Sequence, residues 1–240
     1  MVGSVKSQTN EPESSTFPWF NKPACRVEGA CASGGLAIMS AVDALRAGRA
    51  SIALATGVEI QTTASARVGG DYLARAADYD RQRSLDDFTF PCLFAKRMSN
   101  IVTQGHFTME DTALVAAKAY ANGNKNPLAH MHTRKMSFDD CNNENDRNVK
   151  FLGNETYKPF LRTSDCSQVS DGGAGVVLAT EEGIAKLGMP ITNGKLVELK
   201  SLECATGNLY EDPCDATRMY TSQAAAAKAL CSAKVTPQDL

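Results

Sequence analysis

Apolar and polar positions divide the chain into stretches of two kinds. Over 36–47 the apolar residues Leu36, Ala37, Ile38, Met39, Ala41, Val42, Ala44 and Leu45 fall on every side of a helix, and Gly48 follows as a stop. A helix that is apolar all round is buried all round, so the pattern predicts a helix sandwiched between two layers. The run SIALATGVEI (51–60) is apolar without alternation and predicts a buried parallel strand. ACRVEGA (24–30) predicts a short strand before the helix, and strand, helix, strand at this spacing predicts a βαβ unit. The same style returns in DGGAGVVLATEEGIAKLG (171–188). It predicts a strand over 174–179 and a helix from Thr180, with Thr180 as cap and Glu181 and Glu182 in the first turn. KLVELKSLEC (195–204) predicts a further strand, and 218–234 a helix.

Residues 61–165 differ, being richer in Arg, Asp, Asn and aromatics. Helices are predicted over 109–123, with acidic residues in the first turn and Gly at the end, and over 93–104. SFDDCNNENDRNVKF (137–151) is polar and predicts a surface excursion. The whole stretch reads as an insertion over a core. Residues 1–17 form a polar lead rich in Ser, Thr, Glu and Pro, predicted to be mobile.

Composition narrows the function classes. At 240 residues, 43% hydrophobic and 22% charged, the chain fits one large domain or a core with an insertion, and disorder throughout is excluded. Its 25 basic and 27 acidic residues give a net charge of −2, against the basic excess of a general nucleic-acid binder. No apolar run approaches the roughly 20 residues of a spanning helix. The opening MVGSVKSQTNEPESSTF lacks the apolar core of a signal peptide. Eight cysteines, none in a C-x-x-C pair, give little support to a structural zinc site and read mostly as small buried hydrophobes in a reducing compartment.

Candidate chemistry concentrates in Glu28-Gly-Ala-Cys31-Ala-Ser-Gly-Gly35. Here a cysteine follows a predicted strand and opens a predicted helix, where free N–H groups and the positive end of the helix dipole favour thiolate, the nucleophilic form. Gly34 and Gly35, with the small residues around them, allow a sharp turn and leave room for a substrate. From the residues alone, a nucleophile and a packing cysteine in a glycine-rich turn stand level. The turn lacks both G-x-G-x-x-G and G-K-[ST], which argues against nucleotide binding there.

The segment VEGACASGGLAIMSAVDALRAGRASIALATGVE resembles the nucleophile segment of thiolases, the sterol-carrier-protein type most of all. SDCSQVSDGGAGVVLATEEGIAK (164–186) resembles the last strand of the same family's N-terminal half and the segment after it. The resemblance implies an α/β fold of two βαβ halves in five layers, α-β-α-β-α, here incomplete. It implies core segments at 18–60 and 166–190, a loop domain at 61–165 over the CoA cleft, and the start of a C-terminal half at 191–240. It implies a thiolase-type acyltransferase of lipid metabolism, acting on acyl-CoA or 3-ketoacyl-CoA. Cys31 would be the acyl acceptor, its N–H part of an oxyanion hole, and Gly34 and Gly35 would permit close approach. Phe90 and Pro91 would meet pantetheine, or form a hydrophobic staple for the following helix. Arg81, Arg83, Lys96 and Arg97 would meet CoA phosphates or solvate a face. The coenzyme A thioester is substrate, with no permanently bound cofactor and no metal. A homodimer, or association with another thiolase chain, and a peroxisomal or mitochondrial location are implied by the family alone.

The departures are specific. The family's catalytic His and its C-terminal Cys-and-His pair have no counterpart here. The three histidines, His106, His130 and His132, all lie in the 61–165 stretch and read as surface or loop-packing residues. Asp86-Asp87 and Asp139-Asp140 read as solvated loop pairs. The chain therefore looks truncated at both ends. The alternatives are a non-catalytic thiolase-like protein that binds CoA or a partner chain, and a condensing enzyme of the ketosynthase type, which would also need downstream histidines.

Overall fold

A computed structural model describes residues 22–191, 194 and 196–240. The predicted polar lead at 1–17 lies outside them. In chain order the main elements are α1 (Ser33–Arg46), β1 (Ile52–Ile60), α2 (Ala66–Ala74), α3 (Tyr79–Gln82), α4 (Thr89–Thr103) and α5 (Met109–Gly123). They continue with α6 (Phe138–Asn142), β2 (Asp171–Ala179), α7 (Glu181–Lys186) and α8 (Tyr220–Ala233). The chain divides into two compact units. One holds the described residues up to Ile60 together with Asp171–Leu202, and the other holds Gln61–Ser170 with Glu203–Leu240.

In the first unit α1 packs on β1, and β1 pairs with β2. The pairing is antiparallel, from Ile52 opposite Ala179 to Ile60 opposite Asp171. This corrects the parallel strand expected at 51–60, and with it the βαβ unit. The apolar run marks a strand, but its partner arrives from more than a hundred residues along the chain, and local sequence does not carry direction. Over the predicted strand 24–30 only Val27 makes a strand-type bridge, and 196–204 holds no strand. Residue 195 of that second prediction lies outside the described residues. α1 begins three residues before the predicted 36–47 and ends at Arg46, with Ala47 as its C-cap. It is mostly half-buried, with only Ser33 and Val42 buried, so the predicted burial on every side does not occur among the described residues. At α7, Thr180 is the cap as expected, its side chain accepting the Gly183 N–H. Gly183 has a packing cause: a Cβ there would lie 2.0 Å from the Ser51 carbonyl oxygen.

The second unit is helical. α5 spans the predicted 109–123, and its start is fixed by a reciprocal cap between Thr108 and Asp111. α6 begins with the same device, Ser137 with Asp140. α4 begins four residues earlier than the predicted 93. Cys92, Ala95, Leu152 and Leu161 form one core cluster, flanked by Phe88 and Phe151 edge to face at 5.3 Å. Ala113, Ala116, Met136 and Cys141 form another. Residues 203–240, read from sequence as part of a second half, fall in this unit.

Candidate active site

Cys31 is exposed and sits in a 3₁₀ turn, Ala30–Ala32, that runs directly into α1. The Ala32 N–H closes the turn on the Gly29 carbonyl at 2.9 Å. Ala30 has φ 49°, in the left-handed region that disfavours residues with a Cβ. Two side chains surround this residue. Glu28 Oε1 accepts the Ala30 N–H at 2.7 Å and lies 3.1 Å from Ser33 Oγ. The Ser33 hydroxyl also lies 2.7 Å from the Ala30 carbonyl oxygen and accepts the Gly29 N–H at 3.0 Å. Ser33 is 2% exposed, although its neighbours on the turn are open. Hydrogen bonds from the Ala30 N–H and then the Ser33 hydroxyl hold the Glu28 carboxyl below its ordinary pKa, so it is a carboxylate at neutral pH.

The glycines of the motif divide by cause. Gly34 and Gly35 have no atom within 4 Å of a Cβ built on them, so they leave open space on the first turn of α1. Gly29 is different, because a Cβ there would meet Leu36 Cδ1 at 2.4 Å. Sequence reasoning gave Gly29 and Glu28 no part in shaping the turn, and took Ser33 only as one of its small residues. The signal was a Gly two residues before the cysteine, with a carboxylate and a hydroxyl flanking it.

Phe90 and Pro91 lie in the first turn of α4, in the other unit, with the Phe90 ring 5.3 Å from Phe94. That unit contains an apolar cavity of about 560 Å³ lined by Met98, Phe107, Val115, Tyr120 and Met131 among others. A more polar one of about 650 Å³ is lined by Lys96, Arg97, Asp212 and Cys214 among others. Neither Phe90 nor Pro91 lines either cavity. The four cations read as phosphate contacts are engaged within the unit. Arg83 pairs with Asp71 at 2.7 Å and Lys96 with Asp212 at 3.2 Å. Arg97 donates to the Ala216 and Arg218 carbonyls, and Arg81 to the Tyr210 carbonyl.

Asp86, read from sequence as solvated, is 8% exposed and accepts the Phe88 and Asn154 N–H groups at 2.8 and 2.7 Å. Asp139 and Asp140 open α6, where Asp140 completes the cap. Most cysteines were expected to be buried, yet Cys25, Cys31, Cys204, Cys214 and Cys231 are exposed. The short apolar context of a thiol did not report whether anything packs over it. Burial, with Asp86 and Asp165 nearby respectively, pushes the Cys92 and Cys166 thiols up to about 11.

The family profile described as thiolase, N-terminal domain, matches residues 17–182. The chain belongs to the thiolase family. The matched span runs from before the Cys31 turn through both strands and into α7, and the thiolase fold is of the α/β class. An acetyl-CoA acetyltransferase of Methanothermobacter thermautotrophicus is 30% identical over 219 residues, 91% of this chain and 52% of the relative. One from Methanocaldococcus jannaschii is 25% identical over the same shares. A benzoylsuccinyl-CoA thiolase subunit of Thauera aromatica is 25% identical over 167 residues, 70% of this chain and 40% of that subunit. The chain thus spans about half the length of the curated thiolase relatives it matches.

Proposed function

We propose that this chain carries the acyl-accepting cysteine of a thiolase-type acyltransferase acting on CoA thioesters in lipid metabolism. One observation carries the reading: Cys31 is exposed on a tightly held turn at the start of α1, inside the span that matches the family. With a 3-ketoacyl-CoA, the Cys31 thiolate attacks the keto carbonyl. The bond between that carbon and its neighbour then breaks, leaving an acyl-cysteine and an acetyl-CoA carbanion that takes up a proton. With an acyl-CoA, the thiolate attacks the thioester carbonyl and CoA leaves as its thiolate. In either case backbone N–H groups at the helix start face the developing oxyanion.

A second reading, CoA or partner binding without turnover, is favoured by the histidines: none of His106, His130 and His132 stands in the catalytic-His motif of the family that the sequence resembles. A general base contributes typically 10²–10⁴-fold. Incubating the 240-residue chain with acetoacetyl-CoA and weighing it intact separates the readings. The expected result is an acetyl adduct on Cys31, absent in Cys31→Ala, with steady-state thiolysis far slower than adduct formation would allow. No adduct after long incubation would favour binding alone. Rapid thiolysis abolished by Cys31→Ala would mean that a base acts from elsewhere in this chain.

A further inference from the structure

We infer that Glu28 and Ser33 are positioning residues, a two-sided latch that holds Ala30 in its left-handed conformation and so sets the Cys31 turn on the start of α1. The inference rests on Cys31 as acyl acceptor and adds which residues prepare it. Ala30 is one of two non-glycine residues with positive φ among the described residues; the other, Lys234, is a helix C-cap, an ordinary place for it. Residues with a Cβ stay in this region only where the surroundings hold them, and such outliers gather at functional turns. Here the holding groups are identifiable. Three backbone groups of Gly29 and Ala30 meet two side chains: both N–H groups are accepted and the Ala30 carbonyl faces the Ser33 hydroxyl. Glu28 and Ser33 also contact each other at 3.1 Å, so each orients the other. Gly29 completes the arrangement: a Cβ there would press on Leu36 Cδ1, so a larger residue would require the Leu36 side chain to move. Neither side chain is asked to touch the acyl group. Both act through Ala30.

The latch makes a prediction that general destabilisation does not. If Glu28 matters because it holds a strained alanine, a residue that takes positive φ unaided makes it dispensable. The rate of Cys31 acetylation by acetoacetyl-CoA, by intact mass, and of Cys31 alkylation by iodoacetamide, by peptide mapping, are read on the full chain. Glu28→Ala is expected to slow acetylation about tenfold, a fraction of what losing an oxyanion donor outright costs. It is expected to slow alkylation about threefold, the size of the helix-start contribution to a thiolate. Adding Ala30→Gly to Glu28→Ala is expected to restore both to within about twofold, because glycine populates positive φ freely. Glu28→Gln, which keeps an acceptor for the Ala30 N–H, is expected to lose less than Glu28→Ala.

Unchanged rates in Glu28→Ala, or a loss that Ala30→Gly fails to repair, overturn the latch. Should Glu28→Ala not fold, Ser33→Ala with and without Ala30→Gly carries the same comparison from the other side, with the same expected loss and repair and the same overturning result. A wild-type chain that forms no acetyl adduct defeats the acyl-acceptor reading and leaves the latch readable by alkylation. Wild-type acetylation with no response to either variant defeats the latch alone.

Discussion

Two buried polar groups in the unit of Gln61–Ser170 and Glu203–Leu240 find partners from that same unit. Asn148, fully buried, donates to the Asp140 and Cys141 carbonyls and accepts the Ser164 N–H. Arg162 and Asp165, each with a side chain 3% exposed, pair with one another, and Arg162 also reaches Asn142, Met109 and Thr112. The unit that carries Cys31 is built otherwise. Among the described residues Ser33, Val42 and Ala55 are its buried ones outside α7, and β1 and β2 turn an apolar face outward. By strand alternation and register, Val58, Ile60 and Val177 share that face, and each is more than half exposed. The contrast separates two ways a sequence can be apolar. In the Cys31 unit Val58, Ile60 and Val177 are more than half exposed, whereas in the helical unit the clusters around Cys92 and Ala113 are interlocked, beside exposed apolar side chains such as Leu128 and Tyr210. Only the interlocked unit should respond strongly to core substitutions.

The largest expected contrast is chemical. With pKa values of about 11, Cys92 and Cys166 hold about a thousandth of their thiol as thiolate at pH 8, against a sizeable fraction for an unperturbed cysteine. Brief iodoacetamide treatment of folded protein at pH 8 is expected to leave both unlabelled and to label Cys31 first among the eight. The rate at Cys92 and Cys166 is expected to rise about tenfold per pH unit toward 11 while the fold holds, because the thiolate fraction grows with pH below the pKa. Several other cysteines labelling faster than Cys31 would remove the chief support for it as nucleophile.

Next in size is the buried pair. Arg162→Ala leaves the Asp165 carboxylate buried beside no cation and strips donors from three carbonyl or hydroxyl oxygens on α5 and α6. The expected loss is about 3–5 kcal/mol in denaturant unfolding. A loss below about 1 kcal/mol, the range of an exposed pair, would show that this unit is not held as the hydrogen bonds suggest. Leu152→Ala ranks third. Leu152 is 1% exposed within the cluster of Cys92, Ala95 and Leu161. Its truncation is expected to cost about 3 kcal/mol, the transfer of the lost atoms plus the void they leave.

What is legible in the sequence tracks how local the cause is. α5 is readable to the residue because Thr108 and Asp111 close its start and Gly123 ends it, all inside one window. Thr180 is readable as a cap for the same reason. Cys31 stands out because the small residues that free its turn are its neighbours. Asp86 escapes because its second partner, the Asn154 N–H, lies 68 positions away. The direction of β1 escapes because β2 begins after the whole 61–165 stretch. Gly29 escapes because Leu36, the side chain that needs its room, lies further along in α1 and its direction is not written in the spacing.

The smallest effect tests the open unit directly. Val177 is 62% exposed on β2, opposite Leu54, on the face that also bears Val58 and Ile60. If nothing covers that face in solution, Val177→Thr keeps β-branching and strand propensity while removing little contact. Stability should then move by no more than about 0.5 kcal/mol, the range of ordinary surface changes. If instead a second copy of the chain lies on this face, the substitution places a hydroxyl in an apolar interface. Its cost should then exceed that range and grow with protein concentration, because association stabilises by mass action. Denaturant unfolding of wild type and Val177→Thr at two concentrations about a hundredfold apart, with light scattering on the same samples, decides between them. A small effect that does not depend on concentration, in a monomer, would leave the apolar face open in this chain. A larger, concentration-dependent one would show that the unit carrying Cys31 obtains from a partner the cover that the helical unit builds from its own residues.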